Sequence, residues 1–238
     1  MTWRAYIEGD ENDLQDLVEL FPDGDPSIGH EADSGYYISS ASLEDDNGAV
    51  NHEMAAKLLT TINGIARVQS TAYRPVHLTG TYRSPDGKQS VVILVDSIEV
   101  RARMGTPTIL TDGVPQPAPE SEGGRYFKVA EADTDAADIF RIMAASKREL
   151  DWIDIYKVWE IVEKTVGGKN QVAAKGWLTK SDIERLTASA NHPEISGDNA
   201  RHARMPGTPG QHRVMTLAEA NTLIRELVSA WVESRHAY

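Results

Sequence analysis

The first half of the chain mixes two hydrophobic periods. Alternating apolar and polar positions at 3–8, 36–40 and 76–83 predict strands, and the first is expected at an edge of the sheet. Apolar residues spaced three and four apart at 12–21 and 55–66 predict two amphipathic helices between these strands. The first half therefore predicts a mixed α/β structure.

A turn and a short apolar run complete this half. Ser-Pro-Asp-Gly at 84–87 is a strong turn signal, and the apolar run at 91–95 predicts a buried returning strand. The element order β-α-β-α-β-β suggests a small α+β domain over residues 1–103. Residues 104–124 contain four prolines and four glycines, so we expect a linker or extended arm over residues 104–130.

The second half is predicted to be helical. Four segments carry an apolar stripe with a helical period: 134–143, 149–166, a helix that starts near 179, and a last helix that starts at the capping box of 216–219. The predicted fold class is therefore α+β, with a small N-terminal mixed α/β domain (1–103) followed by a four-helix-bundle-like domain (131–238).

Composition narrows the classes of function. The chain has a formal charge of −12, which opposes non-specific binding to nucleic acid, and it has no cysteine for disulfides or thiolate chemistry. No signal-peptide-like or membrane-spanning apolar run is present, which predicts a soluble, cytoplasmic protein without membrane contact. We expect neither a metal nor a cofactor, since the common nucleotide-binding and hydrolase motifs are missing.

One segment reverses the charge balance. Residues 185–213 contain four arginines and three histidines against two acidic side chains. This local basic patch is the part of the chain that could attract a phosphate, and hence RNA.

Arg185 and His192 are the candidate catalytic residues of this segment. Seven helical steps place them on nearly the same face, about 10.5 Å apart along the axis. Pro193 disfavours helical geometry at His192, so the histidine is expected where the helix ends, within reach of solvent and substrate. The structural alternative is a solvated helix arginine and an ordinary helix-terminating histidine.

The Arg-x6-His spacing on a late helix of a helical bundle resembles the HEPN family, many of whose members are metal-independent RNases of toxin and antiviral systems. The resemblance implies that His192 acts as general acid and base and that Arg185 stabilises the phosphate charge. It also implies that two copies of the motif meet across a homodimer. A bacterial defence or stress RNase is thus the leading hypothesis.

Arg201, His202 and Arg204 are candidate ligand-binding residues in the loop that follows. A turn at 197–200 could present them. The same run resembles uncharacterised bacterial proteins with an A-R-H-A or A-R-H-G step, a likeness that names no activity. Alternatively, Arg201 pairs with Asp154 or Glu160 and fixes the loop to the bundle.

Two further hypotheses remain open. His30, Glu31 and Asp33 could supply metal ligands, although a solvated loop explains them more simply. The acidic first half, which carries 17 acidic and 8 basic side chains up to residue 104, could bind a partner protein. The alternative to the nuclease is therefore a non-enzymatic protein-interaction or scaffold module.

Overall fold

The computed structural model describes residues 2–44, 49–70, 72–91, 120–145, 149–197, 200 and 214–236. The strands are β1 (Arg4–Glu8), β2 (Ser27–Glu31), β3 (Gly35–Ser39), β4 (His77–Arg83) and β5 (Gln89–Val91). The helices are α1 (Glu11–Leu20), α2 (His52–Gln69), α3 (Glu122–Ala132), α4 (Thr134–Ala145), α5 (Trp152–Val166), α6 (Lys169–Ala174), α7 (Lys180–Asn191), α8 (Pro193–Ser196) and α9 (Leu217–His236). The predicted α+β class is confirmed.

The five strands form one antiparallel sheet in the order β2-β3-β1-β4-β5. Strand β1 lies at its centre, between β3 and β4, so the prediction of an edge position is wrong. Residues 5–7 are buried without interruption, which agrees with a strand that has neighbours on both sides. The alternation rule misses β2 because the segment SIGHE contains a glycine and a single large apolar residue.

The two faces of the sheet have different surroundings. Ala5, Ile7 and Ile38 point to one face and join the core with residues of α1 and α2. On the opposite face, which we call the open face, Arg4 and Arg83 keep about a third of their side chains exposed. The sheet therefore has one buried and one partly accessible face.

Buried side chains from both halves of the sequence form one continuous core. Helix α2 packs against α3, α4 and α9, which all come from the second half. Helix α3 begins at Glu122 and replaces the C-terminal part of the predicted linker. The division into domains at residues 103 and 131 stays a prediction, since residues 92–119 lie outside the described part of the chain.

Four predicted helices of the second half correspond to α4, α5, α7 and α9. Helix α5 ends at Gly167, whose φ of 88° gives the left-handed cap that glycine favours. At the start of α9, the Glu219 N–H donates to Thr216 Oγ1 at 3.2 Å, and the Thr216 N–H donates to Glu219 Oε2 at 2.6 Å, which confirms the capping box. Helices α3, α6 and α8 were not expected.

The turn at 84–87 joins β4 to β5, as expected. Val91 ends β5 with 65% of its surface exposed, which contradicts the predicted burial at this position, and residues 92–95 lie outside the described ranges. Among the described residues, no helix combines the length and the apolar character needed to cross a bilayer.

Candidate functional site

Arg185 lies on α7 and contacts the segment that leads into α9. Its Nη2 and Nε donate to the Val214 carbonyl oxygen at 3.1 and 3.3 Å, and Nη2 also lies 3.4 Å from Glu219 Oε1. The side chain keeps 29% of its surface exposed. Arg185 therefore fastens α7 to the N-terminus of α9.

His192 stands between α7 and α8. Its backbone is extended, with φ of −95° and ψ of 120°, so it ends α7 as predicted and precedes Pro193 at the first position of α8. Its Nδ1 accepts a hydrogen bond from the Glu194 N–H at 3.2 Å, which makes the ring the N-cap of α8. Only 5% of the residue is exposed, so the expected access to solvent is not found.

The corner around His192 is held by buried serines. The Ser189 side chain accepts from the Met215 N–H at 2.9 Å, and the Ser196 hydroxyl donates to the Ser189 carbonyl oxygen. These bonds join α7, α8 and the segment before α9. The contacts of Arg185 and His192 thus belong to the packing of the bundle, Arg185 towards α9 and His192 towards α8.

The other predicted residues of this segment, Arg201, His202 and Arg204, lie outside the described residues. The same holds for the Arg201 end of the ion pair predicted with Asp154 or Glu160. The homodimer also stays a prediction.

Two of the three candidate metal ligands, His30 and Glu31, make other contacts. His30 and Glu31 lie in strand β2, where a loop had been expected, and the His30 ring packs on Tyr36 with centroids 4.3 Å apart. The structurally described ranges hold no group of three or more histidine or acidic side chains that could hold a metal ion.

Glu31 is instead the centre of a group that we call the open-face cluster: Arg4, Tyr6, Glu31, Tyr37 and Arg83. Glu31 Oε2 accepts from the Tyr6 hydroxyl at 2.8 Å and from Arg83 Nη1 at 2.9 Å, and Arg4 Nη1 pairs with Oε1. The Arg4 guanidinium lies 4.5 Å from the centre of the Tyr37 ring, and that of Arg83 lies 5.6 Å from the centre of Tyr6. Two cations, two aromatic rings and one carboxylate thus share this face.

The electrostatics of the cluster agree with its contacts. The hydrogen bond from Tyr6 and the charges of Arg4 and Arg83 hold the pKa of Glu31 below its usual range. Burial and the bond to Glu31 raise the pKa of Tyr6. The cluster therefore keeps an ionised carboxylate that accepts from a neutral tyrosine at neutral pH.

Sequence reasoning could have found part of this cluster. Arg4 and Tyr6 are two residues apart on a predicted strand, so their side chains are expected on the same face of the sheet. Tyr37 and Arg83 lie on two other predicted strands, where the same alternation assigns each side chain to one of the two faces. The central Glu31 was out of reach because β2 was not recognised.

Comparison of the chain with protein-family models, curated proteins and solved structures finds no match. The resemblance to HEPN domains therefore stays a prediction.

Proposed function

We propose that this protein is a non-enzymatic protein-interaction module. The observation that carries the proposal is the engagement of Arg185 and His192 in the packing of the helical bundle. A general acid–base must reach the proton that it moves, and His192 is 95% covered and uses Nδ1 to cap α8. The pair has a structural task that accounts for both residues.

The open face of the sheet supplies a surface for the interaction. Tyrosine and arginine are enriched at protein interfaces because they offer large contact areas with polar ends. The open-face cluster offers the partly exposed Arg4, Arg83 and Tyr37, whereas Tyr6 is buried and holds Glu31 in place. The exposed Val91 lies on the same face, since it pairs with Thr81 two positions from Arg83. Polar and apolar contacts are thus available side by side.

Charge indicates the chemistry of the partner. Arg4 and Arg83 share the single carboxylate of Glu31, which leaves this end of the face positive. Glu8 lies at the opposite end of β1, so it confines the positive potential to the Arg4 end. The surface therefore fits a partner-protein segment that carries a carboxylate next to an apolar side chain.

A peptide-display experiment tests this surface. A random-peptide library is selected on the wild-type protein and on the Arg4→Ser/Arg83→Ser variant, with Arg141→Ser as a matched control because Arg141 is exposed on α4. We expect peptides rich in Asp and Glu that bind wild type and the control and lose binding to the double variant. Enrichment that is equal on all three proteins, or absent, would refute the proposed surface.

RNA cleavage by Arg185 and His192 stays a prediction with its own test. Wild type and His192→Ala are incubated with structured RNA without metal, and fragments ending in a 2′,3′-cyclic phosphate are sought. A non-enzymatic module yields no such fragments from either protein. Cleavage by wild type that disappears in a folded His192→Ala protein would instead establish the nuclease.

A further inference from the structure

A cleft of about 310 Å³ lies where the two halves of the chain meet. It is formed by the C-terminal end of α2, the last turns of α4, residues 149–150 ahead of α5, and the first half of α9. Its volume is at the lower end of the range that small-molecule sites occupy. Its polar lining includes Arg67, Ser70, Glu149, Asn221, Thr222 and Arg225.

Arg67 is the unusual member of this lining. It lies on α2 with only 5% of its surface exposed, and its Nη1 donates to the Met143 carbonyl oxygen at 3.3 Å. That carbonyl belongs to the last turn of α4, where helix geometry leaves carbonyl groups without a partner. One end of the guanidinium is therefore anchored to the helix terminus.

The other edge of the same guanidinium lacks partners. Nε and Nη2 are both buried, and neither has a hydrogen-bond partner within the described ranges. Burial lowers the pKa of Arg67, although an arginine stays charged at neutral pH. A buried cation with unmade hydrogen bonds is unfavourable, so a group that satisfies them would be stabilised here.

The geometry of the two donors defines what they can bind. The N–H groups of Nε and Nη2 project in parallel from one edge of the planar guanidinium, away from Nη1. This edge matches two oxygens of a carboxylate or a phosphate in a bidentate arrangement. Neutral ligands with a single acceptor would leave one donor unsatisfied.

A second cation and a fixed wall complete the cleft. Arg225 is half-buried, and its Nη2 lies 3.4 Å from Thr222 Oγ1. The Asn221 side chain is held by Leu150, accepting from its N–H and donating to its carbonyl oxygen, each at 3.0 Å. The exposed Glu149 also lines the cleft and its charge acts on Arg225, so the two arginines and this one carboxylate leave the lining with a net positive charge.

We propose that this cleft binds a small oxyanion, a carboxylate or phosphate group, on the Nε and Nη2 edge of Arg67, with Arg225 as the second cation. Because both donors are covered by protein atoms, binding includes a turn of the Arg67 side chain towards the cleft. The site is formed by helices, away from the open face of the sheet, and does not depend on the proposed interaction surface.

Calorimetric titration of the full chain tests the proposal, with inorganic phosphate and succinate as separate probes and chloride holding the ionic strength constant. The NMR signal of the Arg67 Nε–H group reports the contact directly. We expect saturable binding and a shift of this signal. Binding of phosphate alone would indicate a ligand with a phosphoryl group, and binding of succinate alone would indicate a carboxylate ligand. Binding of both probes would indicate a site that accepts either oxyanion.

Variants locate the site. Arg67→Met is expected to weaken binding by about tenfold or more, because it removes charge-assisted hydrogen bonds. Arg225→Gln should weaken it less, and Arg141→Gln on the exposed face of α4 should leave it unchanged. If Arg67→Met does not fold, the Arg225 variant and the Arg67 signal carry the test. Absence of saturation with both probes, or an Arg67 signal that does not move, would overturn the proposal.

Discussion

Gly64 of α2 lies directly against the backbone of Phe140 in α4, so that a β-carbon at this position would stand 2.1 Å from the Phe140 carbonyl oxygen. No side-chain rotation relieves such a contact, because the opposing atoms belong to the main chain. The close approach of α2 and α4, which joins the two halves of the sequence, therefore requires glycine at residue 64.

We expect Gly64→Ala to lower the free energy of unfolding by about 1–3 kcal/mol, the usual cost of overpacking a core. The better helix propensity of alanine, about 1 kcal/mol, offsets part of the clash. Gly124→Ala is the control, since the nearest atoms to its β-carbon would be side-chain atoms of Ser121 and Glu120, none nearer than 3.0 Å. Urea denaturation measures both, and an equal effect of the two substitutions would contradict the predicted contact.

Asn63 holds a buried polar network together. Its Oδ1 accepts from the Tyr73 hydroxyl at 2.5 Å and from the Val76 N–H at 3.1 Å, while its Nδ2 donates to the Val76 carbonyl oxygen at 3.0 Å. We expect Asn63→Ala to cost about 2–4 kcal/mol, because it leaves several buried groups unpaired. Tyr73→Phe removes one bond and should cost about 1 kcal/mol. Denaturation curves in which the phenylalanine variant is the less stable one would argue against this network.

His192 offers a test that separates structure from catalysis. His192→Ala removes the acceptor that caps α8, and loss of a cap costs about 0.5–2 kcal/mol. His192→Asn supplies another good N-cap acceptor and should recover part of that loss. Thermal unfolding should give midpoint temperatures that fall in the order wild type, His192→Asn, His192→Ala. If His192→Asn is no more stable than His192→Ala, the N-cap hydrogen bond is not the source of the stability that His192 provides.

The capping box of α9 predicts a dependence on pH. The N–H and hydroxyl of Thr216, together with the Arg185 guanidinium, lower the pKa of Glu219 from its ordinary 4.5. A carboxyl whose pKa is lower in the folded state stabilises the fold above the unfolded pKa, and that contribution disappears as pH falls through the folded pKa.

The difference in unfolding free energy between wild type and Glu219→Gln should therefore favour wild type at neutral pH and shrink as pH falls below about 4.5. Denaturation at a series of pH values measures it. Glu131→Gln, on the exposed end of α3, reports the general effect of removing one negative charge. A difference that stays constant down to acid pH would show that the ionised Glu219 contributes nothing.

Arg67→Met should leave stability unchanged or raise it. The substitution removes a buried cation, two of whose donors have no partner in the described part of the chain. It keeps an apolar side chain of similar length, at the expense of one bond to Met143. Replacing buried charge by apolar volume is often neutral or stabilising. A marked loss of stability in urea would mean that Arg67 is held for packing, whereas a gain fits a residue retained for binding despite its energetic cost.

The sequence was most informative where a local pattern and the tertiary packing agree. Helix α5 could be placed because Trp152, Ile155 and Trp159 repeat at helical spacing and all three are buried. Helix α3 could not be placed, because the two glycines in its first turn are typical of a linker. Gly123 is needed there for a distant contact, since a β-carbon would stand 2.4 Å from the Leu20 carbonyl oxygen.

The candidate sites show the same limit. The position of His192 at a helix end followed from Pro193, but its burial did not. It lies at a corner where Met215, remote in sequence, donates to the buried Ser189. The cleft at Arg67 depends on Met143, 76 residues further along the chain. Periodicity assigns such residues to a helix and says nothing about the partner that encloses them.

The central position of β1 has a consequence for synthesis of the chain. Arg4 pairs with Ser39 of β3 on one side and with Arg83 of β4 on the other. One edge of β1 therefore stays unpaired until β4, which is translated later, has been synthesised. Such distant pairings slow folding, and an unpaired edge can recruit other chains. Nascent polypeptides halted between residues 39 and 83 should therefore depend on ribosome-associated chaperones to avoid aggregation.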